Sequence, residues 1–232
     1  MHERHTSRSA GHRHPDPPAR GLSGTGLVAD DLYLLGHDDR SGKPLLQPRA
    51  LGTGLAGALL TELMLAGCVG LRQDSAVVIS RDTPQSAVQQ HPLLKQVADE
   101  PGPQPVRSWL RFLARSAARD VALRLEEAGY LQHARGRVPW SQDQWIPVNP
   151  DWAFAPMLRV RTALDPARPL TAHAAALAGL AVACGLGFRL DLYQAQAGRP
   201  VQEAVAQLGP GLQELIAQTQ TAVDSAVLSQ RT

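Results

Sequence analysis

ALGTGLAGALLTELMLA, residues 50–66, is the stretch of sequence that decides the fold. Its apolar residues recur at steps of four, four, four and three, which places them on one stripe of an α-helix; they are Leu51, Leu55, Leu59, Leu63 and Ala66. Gly67 follows directly and can end the helix. The stretch therefore predicts a long helix that packs against other parts of the chain.

The same stretch contains GTGLAG, residues 52–57, which matches the glycine pattern of a dinucleotide-binding loop. That loop requires a buried strand leading into its first glycine, but Pro48 and Arg49 stand where the strand should be. We therefore expect these glycines to allow close helix packing. GHDDRSGKP, residues 36–44, fails as a P-loop because Pro44 replaces the hydroxyl that ligates magnesium.

The segments on both sides of this helix also carry patterns that predict secondary structure. LVADDLYLLG, residues 27–36, predicts a helix with an acidic start and a glycine end. CVGLRQDSAVVIS, residues 68–80, predicts a hairpin because two β-branched runs flank a polar turn. An Ala-rich segment at 169–188 is typical of a buried helix and not of a membrane span. The fold class is therefore mainly α, with a helical bundle core and short β-hairpins.

A row of arginines in residues 106–131 is the strongest chemical pattern in the chain. Four arginines recur at every fourth position, with Arg124 nearby, and an apolar stripe lies opposite them; the arginines are Arg107, Arg111, Arg115 and Arg119, and the stripe is Leu110, Leu113, Ala117, Val121 and Leu125. One continuous helix would bury the stripe and expose the arginines. Two interpretations stay open: a solvated helix face, or a surface that binds phosphate groups of lipid or nucleic acid.

A second hairpin is predicted around the turn ARGR, residues 134–137, and it combines basic and aromatic residues. Its notable side chains are Arg135, Arg137, Trp140, Trp145 and Ile146. Arginine and tryptophan together suit a membrane interface, where the indole lies at headgroup depth and the guanidinium meets anionic lipid. The alternative is that the tryptophans pack on the protein core.

The overall charge limits the classes of partner. The chain has 23 basic and 21 acidic residues, a net charge of +2, which argues against binding nucleic acid through bulk charge. The basic residues are 21 arginines and two lysines, and the guanidinium fork binds phosphate bidentately. No nucleophile elbow or zinc-protease motif is present, and no pair of carboxylates stands in a sequence setting that suggests acid-base catalysis, so we expect no enzymatic activity and no cofactor.

The amino-terminal residues 1–24 are too poor in apolar side chains to offset the entropy of ordering, so we predict a disordered tail and a folded domain at 25–232. The histidines of the tail are irregularly spaced, and Cys68 and Cys184 lack the spacing of a zinc site, so no metal site is expected. No apolar run follows the charged start, so secretion is not expected.

Four segments, in order, resemble the Golgi phosphoprotein 3 family: LVADDLYLLGHDDRSGKP, GLAGALLTELMLAGCVGL, VRSWLRFL and LRLEEAGYL. The resemblance covers about residue 27 to the end and is best in the first three-fifths; the excess of arginine fits a bacterial member. It implies a helical domain with a projecting hairpin that binds phosphatidylinositol 4-phosphate, cytoplasmic and peripherally membrane-associated. Membrane-protein tails are implied partners, as is a homo-oligomer formed through the hairpin.

The family's headgroup pocket uses a tryptophan and an arginine on the first helical hairpin and two arginines on a later helix. In this chain Gln47 stands at the tryptophan position and Ala56 at the first arginine position. Arg115 matches the third position, whereas Ala118 occupies the fourth and Arg119 is displaced by one. Losing two of four such contacts, each worth about 1.5 to 3 kcal/mol, can abolish selectivity for one phosphoinositide.

The resemblance also implies that the arginine region forms two helices meeting near Ala114, because an insertion found in eukaryotic members is missing. The predicted headgroup-binding residues are Arg115, Arg119, Arg111, Gln47 and Arg49, with Arg49 as a replacement for the missing arginine. The predicted function is a peripheral membrane protein that binds phosphatidylinositol 4-phosphate or another anionic phospholipid. The alternative is a DNA-binding regulator, because a helix followed by a hairpin resembles a winged-helix edge, although no nucleic acid partner is expected.

Overall fold

A computed structural model describes residues 24–134, 144–190 and 200–229. The α-helices there are α1 Val28–Leu35, α2 Pro48–Leu65, α3 Gln85–Gln90, α4 Pro92–Asp99, α5 Val106–Leu113, α6 Ala117–Glu127, α7 Pro150–Ala163, α8 Ala172–Ala183, α9 Val201–Ala206 and α10 Pro210–Leu228. The strands are β1 Val69–Leu71, β2 Ala76–Ile79, β3 Gln104–Pro105, β4 Leu131–Ala134 and β5 Gln144–Pro147, and a 3₁₀ helix covers Gly187–Leu190. The predicted mainly α class with short hairpins is confirmed. The predicted tail lies outside the described residues, apart from Gly24.

Helix α2 lies at the centre of the bundle. Helices α1, α5, α6, α8 and α10 all pack against it. The buried surface of α2 extends beyond the predicted stripe. Ala56, Ala58 and Leu60 are buried as well as Leu51 and Leu55 of the stripe. A helix that is apolar on nearly all sides belongs inside a protein, so this helix organises the core.

The glycines of α2 allow its neighbours to approach closely. A Cβ atom on Gly52 would overlap the carbonyl oxygen of Ala114, and one on Gly54 would overlap the Cys184 thiol. A Cβ atom on Gly57 would lie 2.5 Å from Thr219 Oγ1. GTGLAG therefore lies inside a helix and serves close packing, as predicted, and the dinucleotide-loop interpretation is wrong.

The first hairpin forms as predicted, but its sheet gains a strand. Strands β1 and β2 pair antiparallel, with Val69 opposite Ile79, and β3 pairs with the other edge of β2. The sequence did not predict β3, because two residues that include Pro105 carry no strand pattern. Helix α3 was also missed, since six residues are too few for a helical period to show.

The arginine region is two helices, so the prediction of one continuous helix is wrong and the implied break near Ala114 is confirmed. At the break the amides of Arg115 and Ser116 donate to carbonyls three residues earlier, and α6 begins after Ser116. No glycine or proline marks this break in the sequence. The predicted apolar stripe is confirmed, because all of its residues are buried, namely Leu110, Leu113, Ala117, Val121 and Leu125.

The second hairpin pairs β4 with β5 antiparallel, with His133 opposite Trp145. Its predicted tip, including Arg135, Arg137 and Trp140, lies outside the described residues. The Ala-rich segment forms α8, which is almost entirely buried against the bundle. Among the helices that the structure describes, none combines the length and hydrophobicity needed to cross a bilayer.

Candidate anion-binding site

The start of α2, the exposed face of α5 and the end of α10 enclose a groove of ≈ 720 Å³, which we call the basic groove. Four arginines line it, Arg49, Arg107, Arg111 and Arg115. The opposite wall is made of small side chains of α10, namely Thr221, Ala222, Ser225, Ala226 and Ser229. Among the described residues that line the groove none is acidic, so every charged side chain of its lining is positive.

The local structure of α2 and α5 explains why the four arginines lie at the groove. Pro48 occupies the first turn of α2, where its missing amide proton costs nothing, and this places Arg49 in the same turn. Helix α5 buries Trp109 and Leu110, so Arg107 and Arg111, one turn apart, lie on its exposed face. Arg115 lies in the connection between α5 and α6. The two walls therefore come from segments far apart in the sequence.

The arginines of the groove differ in how they are held. Arg107 Nε donates a hydrogen bond of 3.0 Å to Gln218 Oε1 on α10. Within residues 24–134, 144–190 and 200–229, Arg49, Arg111 and Arg115 form no salt bridge, and all three are exposed. Like charges held close together repel one another, so a bound anion would relieve that repulsion while accepting charge-assisted hydrogen bonds.

Two other cavities contain acidic side chains, which sets the basic groove apart. One of ≈ 530 Å³ contains Asp31, which forms an ion pair with Arg159 and a hydrogen bond with His173. The other, of ≈ 570 Å³, contains Asp120. A carboxylate disfavours a bound anion, so neither cavity matches the basic groove as a phosphate site. In the part of the chain that the structure describes, no group of His, Cys, Asp and Glu side chains could hold a metal ion.

The structure brings some of the predicted headgroup residues together and leaves others out. Arg49, Arg111 and Arg115 share the groove, whereas Gln47 and Arg119 are exposed elsewhere and do not line it. Ala56 is fully buried, so the position of the family's first arginine does not face the groove. Arg49 does line the groove, and its role as a replacement for that arginine stays a prediction.

Sequence reasoning missed the wall that α10 contributes. Thr221, Ser225 and Ser229 are four residues apart and so lie on one stripe of the helix. This spacing of hydroxyl residues was a signal in the sequence, but nothing local indicates that the stripe faces arginines from α2 and α5. Arg107 belonged to the predicted row, but it was not among the predicted headgroup residues.

Arg124, the other arginine near the predicted row, has a structural role. Its guanidinium binds Glu62 bidentately, with both N–O distances 3.0 Å, and its Nε donates to Asp30 Oδ1 at 2.8 Å. Burial raises the pKa of both Asp30 and Glu62, and the neighbouring guanidinium opposes that shift. Arg124 therefore neutralises buried carboxylates of α1 and α2, and its guanidinium is already paired with them.

At the base of the second hairpin, the structure shows tryptophan packing. Trp145 is half-buried against the core, and its Nε1 donates a hydrogen bond of 3.0 Å to Glu126 Oε2. Its ring lies 5.2 Å from that of His133, and Ile146 beside it is also half-buried. The prediction that the hairpin contacts a membrane therefore rests on Arg135, Arg137 and Trp140, which the structure does not describe.

An exposed aromatic side chain, Phe112, lines the neighbouring cavity of ≈ 570 Å³ together with Arg115. Phe112 is 50% exposed on α5, between Arg111 and Arg115 in the sequence, and its ring contacts Trp109 edge-on. Isolated exposed apolar residues are common on proteins. Here, however, the exposed part of α5 carries both guanidinium groups and an apolar aromatic ring, as helices that lie on membrane surfaces do.

The comparison with known proteins gives one result that covers most of the chain. No curated protein matches it. The sequence profile of the Golgi phosphoprotein 3 (GPP34) family matches residues 28–219. The matched residues extend from α1 into α10 and include all four arginines of the basic groove. The chain therefore belongs to the Golgi phosphoprotein 3 family.

Proposed function

We propose that this protein is a non-enzymatic peripheral membrane protein that binds the headgroup of an anionic phospholipid in the basic groove. Membership of a membrane-associated family supports this proposal at a coarse level. The observation that carries it is that four arginines, and no acidic residue among the described lining, surround one concave surface. Phosphatidylinositol 4-phosphate, the ligand implied by the family resemblance, is the first lipid to test.

The groove supplies the interactions that a phosphate group needs. A hydrogen bond between a guanidinium and a charged acceptor contributes about 1.5 to 3 kcal/mol, and the guanidinium can bind two phosphate oxygens at once. Arg49 lies in the first turn of α2, where the positive end of the helix dipole adds attraction for an anion. Arg111 and Arg115 need not break a salt bridge within the described chain before they bind.

The same face suits a headgroup that remains in a bilayer. Phe112 is exposed in the adjacent cavity, which shares Arg115 with the basic groove, so its ring can insert near the headgroups while the arginines contact phosphate. Two further parts of the proposal come from the family resemblance alone: the protein acts as an adaptor for membrane-protein tails, and it self-associates through the second hairpin. Lipid binding by the groove does not depend on either.

Sedimentation with liposomes tests the proposal. We expect the protein to sediment with phosphatidylcholine vesicles that contain phosphatidylserine or phosphatidylinositol 4-phosphate at equal surface charge, and not with phosphatidylcholine alone. The double variant Arg111→Ala/Arg115→Ala should bind anionic vesicles roughly tenfold or more weakly, because each arginine near the surface contributes about 1 kcal/mol.

Arg119→Ala is the matched control, because this residue is exposed and belongs to the same arginine row but lies outside the groove. It should bind like the wild type. Equal sedimentation with neutral and anionic vesicles would contradict the proposal, and so would an Arg119→Ala defect as large as that of the double variant. Binding to duplex DNA that weakens steeply with salt, without vesicle binding, would support the winged-helix alternative.

A further inference from the structure

The wall that α10 contributes to the basic groove carries a second kind of polar group. Thr221 and Ser225, one helical turn apart, line the groove opposite the arginines. The buried side of α10, with Leu215, Thr219 and Val223, packs toward the central helix α2. The hydroxyl groups therefore belong to the outward stripe of a helix whose orientation is held by the core.

The protons of these hydroxyl groups are already engaged. Thr221 Oγ1 donates to the carbonyl oxygen of Ala217 at 3.0 Å, and Ser225 Oγ donates to that of Thr221 at 2.8 Å. A hydroxyl has one proton and two lone pairs, so each oxygen can still accept a hydrogen bond. In this arrangement the wall offers acceptors, which repel the oxygens of a phosphate but bind the hydroxyl groups of a polyol.

The arginines on the other side of the groove offer hydrogen-bond donors instead of acceptors. Guanidinium groups donate hydrogen bonds and cannot accept them. A groove with donors on one side and acceptors on the other matches a ligand that carries both phosphate and hydroxyl groups. Its ≈ 720 Å³ lies in the range of small-molecule sites, which is large enough for a phosphorylated sugar-like ring. Thr221 and Ser225 lie beyond the residues that match the family profile, so that profile does not include this wall.

We propose that Thr221 and Ser225 determine headgroup specificity by accepting hydrogen bonds from polyol hydroxyl groups, so that the groove prefers anionic lipids with a phosphorylated polyol headgroup over lipids with a bare phosphate. The inference rests on the proposed function, because it assumes that the arginines of the same groove bind the phosphate. It adds a role for α10 that the arginines alone do not supply.

The experiment compares two lipids that both carry a phosphomonoester. Phosphatidylinositol 4-phosphate also has inositol hydroxyl groups, whereas phosphatidic acid has none. Vesicles of phosphatidylcholine with either lipid, adjusted to equal surface potential, are titrated with the wild type and with Thr221→Val/Ser225→Ala. We expect the wild type to bind the inositol lipid roughly tenfold more tightly than phosphatidic acid, as two added neutral hydrogen bonds would allow.

The double variant should lose this preference and keep its affinity for phosphatidic acid within about twofold, which also shows that it is folded. Gln220→Ala, an exposed polar residue of α10 outside the groove, is the control and should keep the preference. A wild type that binds both lipids equally, or a double variant that keeps the preference or loses both lipids alike, would overturn the inference. If the wild type binds neither lipid better than phosphatidylcholine, the proposed function itself fails.

Discussion

At the scale of single residues, Gly52 shows how a missing side chain positions the basic groove. Its Cα faces the carbonyl of Ala114, at the break between α5 and α6, and Arg115 is the next residue. A Cβ atom there would meet backbone, which cannot rotate away as a side chain can. We expect Gly52→Ala to lower the free energy of unfolding by about 1 to 3 kcal/mol, as overpacking does, measured by urea denaturation.

Gly211→Ala is the control for this substitution. Its Cβ atom would lie 2.9 Å from the end of the Met64 side chain, which can move, and the residue lies in the first turn of α10. We expect stability that is unchanged or slightly higher, because alanine restricts the unfolded chain more than glycine does. A Gly52→Ala protein as stable as this control would contradict the proposed close contact.

Arg107 and Arg119 show the limit of sequence periodicity at the residue scale. Both belong to the same row with a spacing of four. Arg107 lines the groove and bonds to Gln218, whereas Arg119 follows the break and lies outside the groove. The spacing indicates a helical face, but it does not tell which arginines share that face once the helix is interrupted.

At the scale of elements, one ion cluster connects α1, α2 and α6. Arg124 of α6 binds Asp30 of α1 and Glu62 of α2, and both carboxylates are largely buried. Removal of the guanidinium leaves two buried charges without a counter-ion. We expect Arg124→Leu to lower the free energy of unfolding by about 3 to 5 kcal/mol at neutral pH.

The stability lost by Arg124→Leu should be smaller at acid pH than at neutral pH. Burial already raises the pKa of Asp30 and of Glu62, so the folded state binds their protons more tightly than the unfolded state does. Stability from these groups is therefore present at acid pH and declines as pH rises above their ordinary pKa values of 3.8 and 4.5. Without Arg124 the pKa of Asp30 and of Glu62 should rise further. The loss in free energy of unfolding caused by Arg124→Leu should therefore shrink as pH falls toward those values.

Denaturation across this pH range, with Arg72→Leu as the control, tests the prediction. Arg72 pairs with Asp74 at 3.1 Å, but both side chains are more than half exposed, so its loss should cost less than about 1 kcal/mol. A deficit of Arg124→Leu that is equally small, or that grows on acidification, would contradict the role assigned to the cluster.

The predictability of whole elements depended on their length and periodicity. Helix α2 and the apolar side of α5 and α6 were predicted, because apolar spacing is a local property that sequence displays directly. The break at Ala114 was implied only by the family resemblance, since the local residues are good helix formers without glycine or proline. Strand β3 forms because β2 offers an open edge, which is a tertiary cause.

At the scale of the whole molecule, the net charge of +2 contrasts with the local charge of the basic groove. Because the chain as a whole is nearly neutral, attraction to an anionic bilayer should come from that surface and should be screened by salt. Raising NaCl from about 50 mM to about 500 mM shortens the screening length to a few Å, so vesicle affinity should fall roughly tenfold or more.

The salt titration uses vesicles of phosphatidylcholine and phosphatidylserine, and the double variant Arg111→Ala/Arg115→Ala serves as the comparison. Its affinity should depend less on salt than that of the wild type, since fewer charges take part. Unfolding measured over the same salt range checks that the fold is unaffected. Wild-type affinity that does not change with salt would show that charge is not the source of binding.

The sequence by itself determined the mainly α class, the central helix and the buried side of the arginine region. Each depends on hydrophobic periods within a single segment, and such periods are visible without knowledge of any partner. The family resemblance also grouped Arg49, Arg111 and Arg115 as headgroup-binding residues, but it included Arg119 and Gln47, which lie outside the groove, and it left out Arg107.

Only the tertiary structure decided the candidate site. Arg49 comes from the start of α2, Arg107 and Arg111 from α5, Arg115 from the break that follows, and the hydroxyl wall from α10. Their meeting depends on the close approach of α5 and α10 to α2, which the glycines and core side chains of α2 permit. Long-range packing of this kind combines segments more than a hundred residues apart, so no local pattern in the chain could reveal it.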